Sequence, residues 1–70
     1  MLVLSLRKGD AVHIGKRRVV LADFDGTAAA LTSGSSFIPV SRVYPAYFAG
    51  CVIHFLSGKT TQCRIGFDAP

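Results

Sequence analysis

The chain contains no glutamate, and its whole acidic complement is Asp10, Asp23, Asp25 and Asp68. That poverty argues against phosphoryl-transfer chemistry, which gathers carboxylates around Mg²⁺ and sets cations against developing charge. Only two cysteines occur, Cys51 and Cys63, without the close C-x-x-C spacing of most zinc sites. Both lie among apolar residues and read as reduced, small core side chains. Long apolar runs are missing as well. The opening MLVLSLRKGD is too short for a membrane helix or a signal peptide, so a cytoplasmic protein is the expectation, with no membrane partner. At 70 residues there is room for one domain and none for the repeated βαβ units of a doubly wound fold.

What is present points to an all-β protein. Half the residues are apolar, with seven glycines and three prolines to punctuate them. Residues 2–7 and 11–14 read as short strands divided by Lys8-Gly9-Asp10. A basic step, Lys16-Arg17-Arg18, leads into a strand over 19–24. Asp25-Gly26 then signals a hairpin with a type I′ turn, and 27–31 is the returning strand. Residues 32–36 read as a polar loop. The segment 37–44 is extended, with Pro39 marking an edge strand. Residues 45–50 read as a connector with one helical turn, begun by proline and ended by glycine. Strands over 51–56 and 61–67, around a turn at Ser57-Gly58-Lys59-Thr60, complete about seven. The expectation is a small β-sandwich or barrel.

Three catalytic signals dissolve on inspection. The stretch VVLADFDGT has the D-x-D-G-T form of haloacid-dehalogenase-like phosphatases, but lacks the further carboxylates and the chain length that chemistry needs. Ser57-Gly58-Lys59-Thr60 has the ending of a P-loop, but Ile53 stands where that motif requires glycine. His13 and His54 are isolated, and with the cysteines they offer no complete ligand set. The chain therefore reads as a non-enzyme without metal or cofactor. Eight lysines and arginines against four aspartates give a formal charge of +4, which favours an anionic partner, nucleic acid above all.

Both ends of the chain carry a resemblance. MLVLSLRKGDAVHIG resembles the opening M-L-x-L-x-R-[RK]-x-G-E-x-[IVL]-x-I-G of the CsrA/RsmA (carbon storage regulator) family of RNA-binding translational regulators. Residues 62–70, QCRIGFDAP, resemble that family's Q-x-R-[IL]-G-[IV]-x-A-P. Leu6 stands at a common arginine, and Asp10 at the usual glutamate. The interval between the two motifs is longer than in the family, so residues 16–50 look like an insertion in a single domain spanning 1–70. The segment 39–44, PVSRVY, resembles the family's V-x-R strand in a permuted position. A rival alignment keeps normal order, with 19–31 as the central hairpin and the last 20 residues as an added one.

The resemblance implies a strand-exchanged homodimer in which the first strand lies beside the arginine strand. It implies a bacterial-type repressor that binds GGA-containing single-stranded or loop RNA, such as an mRNA leader or a small RNA, and blocks translation. The residues carried over are Leu4, Ser5, Leu6 and Arg7 on the first strand, Arg42, Arg64, and Ala69 with Pro70 at the end. The alternative is a family scaffold converted to protein interaction without RNA binding.

Overall fold

A computed structural model describes all residues from Met1 to Pro70. Eight strands form: β1 (Leu2–Leu6), β2 (Ala11–Ile14), β3 (Arg17–Phe24), β4 (Ala28–Ser33), β5 (Ser36–Ser41), β6 (Ala46–Phe48), β7 (Cys51–Gly58) and β8 (Cys63–Asp68). They pair antiparallel in two four-stranded sheets, ordered β1-β8-β7-β6 and β2-β3-β4-β5. Alternation supplies the core. Val19, Leu21, Ala29, Leu31, Ile38 and Val40 from one sheet meet Leu6, Cys51, Ile53, Phe55, Cys63, Ile65 and Phe67 from the other. Residues 16–50 are integral to this body, since they furnish six of those buried side chains and Ala46 besides. No helix is long and apolar enough to cross a membrane.

Several expectations change. There are eight strands where about seven were expected. The anticipated helical turn near residue 47 is instead β6 and the Ala49-Gly50 turn, because Ala46, Tyr47 and Phe48 alternate against β7. The polar stretch 32–36 is largely strand, with only Gly34-Ser35 turning the chain. The loop at 25–27 is not a type I′ turn, since neither Asp25 nor Gly26 has positive φ. The Asp25 carboxylate shapes it instead, accepting from Thr27 N at 2.7 Å, Thr27 Oγ1 at 2.9 Å and Ala28 N at 2.9 Å. Within the chain the Arg42 segment is not beside the first strand: β1 pairs only with β8, and β5 only with β4, and both keep a free outer edge.

The pairing registers expose an internal repeat. A shift of 34 residues carries one half of the chain onto the other. Val12 opposite Val19 becomes Ala46 opposite Ile53, and Leu21 opposite Leu31 becomes Phe55 opposite Ile65. Leu31 opposite Ile38 becomes Ile65 opposite Leu4, which closes the circuit. The bulge between Leu21 and Asp23 recurs between Phe55 and Ser57. Thus β1 to β4 and β5 to β8 are twin units, and each lends its first strand to the sheet of the other. Within this one chain the two halves exchange edge strands, as the resemblance implies for two subunits.

The crossovers between sheets join equivalent residues, though their backbone bonds run in opposite directions. After β1, Arg7 N donates to Asp10 Oδ2 at 2.8 Å and Asp10 N donates to the Arg7 carbonyl at 3.0 Å. After β5, Tyr44 N donates to Ser41 Oγ at 3.1 Å and Ser41 N donates to the Tyr44 carbonyl at 3.0 Å. The hairpin loops match too. Asp25 N donates to the Ala28 carbonyl and Lys59 N to the Gln62 carbonyl, each at 2.9 Å.

Candidate nucleic-acid interface

The twin crossovers and twin hairpin loops converge at one end of the sandwich. The loops touch: a Cβ on Gly58 would lie 1.9 Å from the Asp25 carbonyl oxygen, so only glycine admits this approach. Its twin position holds Phe24, and both residues line the junction. Around them opens a cleft of about 790 Å³ lined chiefly by Arg7, Lys8, Phe24, Gly26, Lys59 and Thr60. Arg42 stands at its rim, because its Nε and Nη2 both donate to the Gly26 carbonyl, at 3.4 and 3.3 Å. The backbone of Arg42 donates to the Thr27 carbonyl at 3.2 Å, which docks the second crossover on the first hairpin loop. Its guanidinium also lies 5.8 Å from the Phe55 ring centroid.

Charge in the cleft is lopsided. Lys8 pairs with Asp23 at 3.0 Å, and this contact, with the Phe24 N–H, holds the Asp23 carboxyl below its ordinary pKa. Asp25 is also held low, by the Thr27 and Ala28 donors of its own loop, which occupy its Oδ1. Arg7, Arg42 and Lys59 have no carboxylate within ion-pair distance. Arg7, Arg42 and Lys59 therefore outnumber the one carboxylate at the loop junction that lacks a cationic partner, Asp25, and the resulting positive excess attracts a polyanion. The D-x-D-G-T aspartates are spent on a salt bridge and a loop.

The residues singled out by sequence are scattered more widely than the resemblance implies. Arg7 and Arg42 are brought together at the Gly26 loop, though not by strand pairing. Ser5 and Arg64 face each other on the outer surface of β1 and β8. Leu6 is only 7% exposed, so its side chain belongs to the core and offers a ligand no contact. Leu4 and Ala69 line a separate apolar groove with Leu2, Val12, Ile14 and Cys51, at the far end of β1 from Arg7. Pro70 follows there, exposed. Lys8, Lys59, Phe24 and Thr60 were missed. Lys59 looked like an ordinary turn residue, and only the topology carries it to Arg7.

No family model, curated protein or solved structure matches this chain. The geometry therefore stands by itself. The two thiols are free and buried, and burial raises the pKa of both, so they are poor nucleophiles. They sit at different ends of the β7–β8 ladder and do not face each other.

Proposed function

We propose that this chain is an RNA-binding translational repressor that grips GGA-containing single-stranded or loop RNA at the basic cleft. The convergence of Arg7, Lys59 and Arg42 on the loop junction is the observation that carries this reading. Unpaired loop bases expose their hydrogen-bonding edges, whereas a closed A-form helix hides them. Phosphates supply affinity through the cations, so binding falls with salt. The unpaired outer edge of β1 leaves backbone donors and acceptors free beside Arg7 to meet base edges. Repression then follows from steric exclusion of the ribosome and calls for no cofactor or catalysis. The resemblance also implies a homodimer, for which the free outer edges of β1 and β5 are available.

A gel shift with a GGA hairpin and a CCA control tests the proposal. Preference for GGA supports it, and equal weak binding to both removes specific recognition. A protein-interaction module is the second reading, favoured by the exposed Leu2 and Val3 on the free β1 edge. Pull-down with and without nuclease separates the two, because a partner that survives nuclease supports protein interaction.

A further inference from the structure

The twin edge strands differ in what they present outward. Along β1 the outward residues are Val3 and Ser5, while at the corresponding positions β5 presents Phe37 and Pro39. Tyr44, at the end of the β5 crossover, has Asp10 as its twin. Phe37 is 67% exposed and Tyr44 75% exposed, whereas Ile38 and Val40 between them point into the core. Tyr44 shares a shallow depression of about 230 Å³ with Pro39, Val40 and Ser41. The reciprocal bonds with Ser41 fix the tyrosine backbone. Arg42 stands between this strip and the cleft. It spends two donors on one carbonyl oxygen, so part of its guanidinium remains for a phosphate.

We propose that Tyr44, next to Arg42, and Phe37, at the Gly34 end of β5, are two stacking points for the unpaired bases of an RNA strand that leaves the basic cleft and runs along the β5 edge. This rests on the RNA-binding reading and names the part of the surface that engages bases. Exposed rings along a path that starts at a basic cleft are a usual means of holding single strands, because every base has a π-face. Tyrosine also gives a large flat contact with little rotamer entropy to lose. The edge of β1 has no such rings, which makes the strand lie asymmetrically across an otherwise symmetric scaffold.

The chain has no tryptophan and only two tyrosines, Tyr44 and Tyr47. In a Tyr47→Phe variant of the full chain, intrinsic emission reports Tyr44 alone. The experiment titrates this variant with a short unstructured RNA and with an abasic ribose-phosphate strand of equal length, while anisotropy of a dye on each strand measures binding. RNA is expected to quench Tyr44 and the abasic strand to leave it bright. Tyr44→Ser and Phe37→Ser are each expected to weaken RNA about fivefold or more, with affinity for the abasic strand unchanged. RNA that binds without quenching, and with full affinity for both variants, overturns the stacking points and leaves the cleft standing. If neither strand binds, the RNA reading fails and the stacking points with it. Concentration-dependent quenching without RNA, matched by a concentration-dependent rise in sedimentation coefficient, would assign the rings to contact between copies and also overturn the proposal.

Discussion

The two halves of this molecule share a register and almost nothing else. Across the 34-residue shift only Thr27 and Thr61 are identical, yet the buried positions coincide: Leu6 with Val40, Val19 with Ile53, Leu21 with Phe55, Ala29 with Cys63, Leu31 with Ile65. The alternation of inward apolar residues sets which face is buried, and a one-residue slip would invert it. Turn length and a conserved bulge position then fix the partner. The differences lie where the halves meet solvent. Arg17 lies 5.4 Å from the Phe48 ring centroid and covers one side of the sandwich. Its twin is Cys51, too short to cover Ile14, and an apolar groove of about 240 Å³ opens there. A common scaffold thus carries a basic cleft at its junction, rings on one edge and an open groove on the other.

The largest effects should come from the shared core. Phe55→Ala and Leu31→Ala are each expected to cost about 3–5 kcal/mol, measured by urea denaturation, because each leaves a cavity in a layer made by both halves. A loss below about 1 kcal/mol for either would mean that its half is loosely packed. Next come the glycines. Gly58→Ala meets the Asp25 backbone and should cost about 1–3 kcal/mol while distorting the cleft. Gly66→Ala meets only the Met1 side chain, at 2.3 Å from Sδ, which can swing aside, so its cost should be markedly smaller. Equal costs would contradict the close approach of the two hairpin loops.

The turns sharpen the comparison further. Ala49 has φ of 52°, while its twin Gly15, at 62°, adopts the same left-handed region without strain. Ala49→Gly is therefore expected to stabilise by roughly 0.5–1 kcal/mol and Gly15→Ala to destabilise by about 1 kcal/mol. A lower melting temperature for Ala49→Gly, or a higher one for Gly15→Ala, would refute the backbone assignment. The smallest effect is electrostatic. Asp23 and Asp25 have lowered folded-state pKa values, so their contribution is present above the ordinary carboxylate value of 3.8 and is lost as pH falls through the lower folded value. The amide shifts of Thr27 and Ala28 should stay constant at neutral pH and move only below that point.

Much of the fold could be read before any coordinates. The all-β class and the edge position of Pro39 followed from alternation and from the missing N–H. The strand at 46–48 was hidden because three residues between Pro45 and Ala49-Gly50 resemble a helical connector. The repeat was hidden because its halves conserve pattern and not identity, and pairing is a property of space. The site was half legible. Arg7 and Arg42 were marked by motif resemblance, but their meeting point at Gly26 depends on crossovers that no local signal encodes. Lys59 joined them only when its hairpin reached Asp25. Within the chain β1 and β5 are edges of different sheets, and no local signal assigns either to its sheet.

The most direct measurement is the salt dependence of RNA affinity, compared between the native chain and an Arg7→Ala, Arg42→Ala, Lys59→Ala triple variant. If the three cations hold phosphates at the junction of the halves, the slope of log affinity against log salt should flatten by about 2, at roughly 0.7 per phosphate contact on a single strand. A variant with the native slope and native affinity would contradict the assignment of RNA to this cleft.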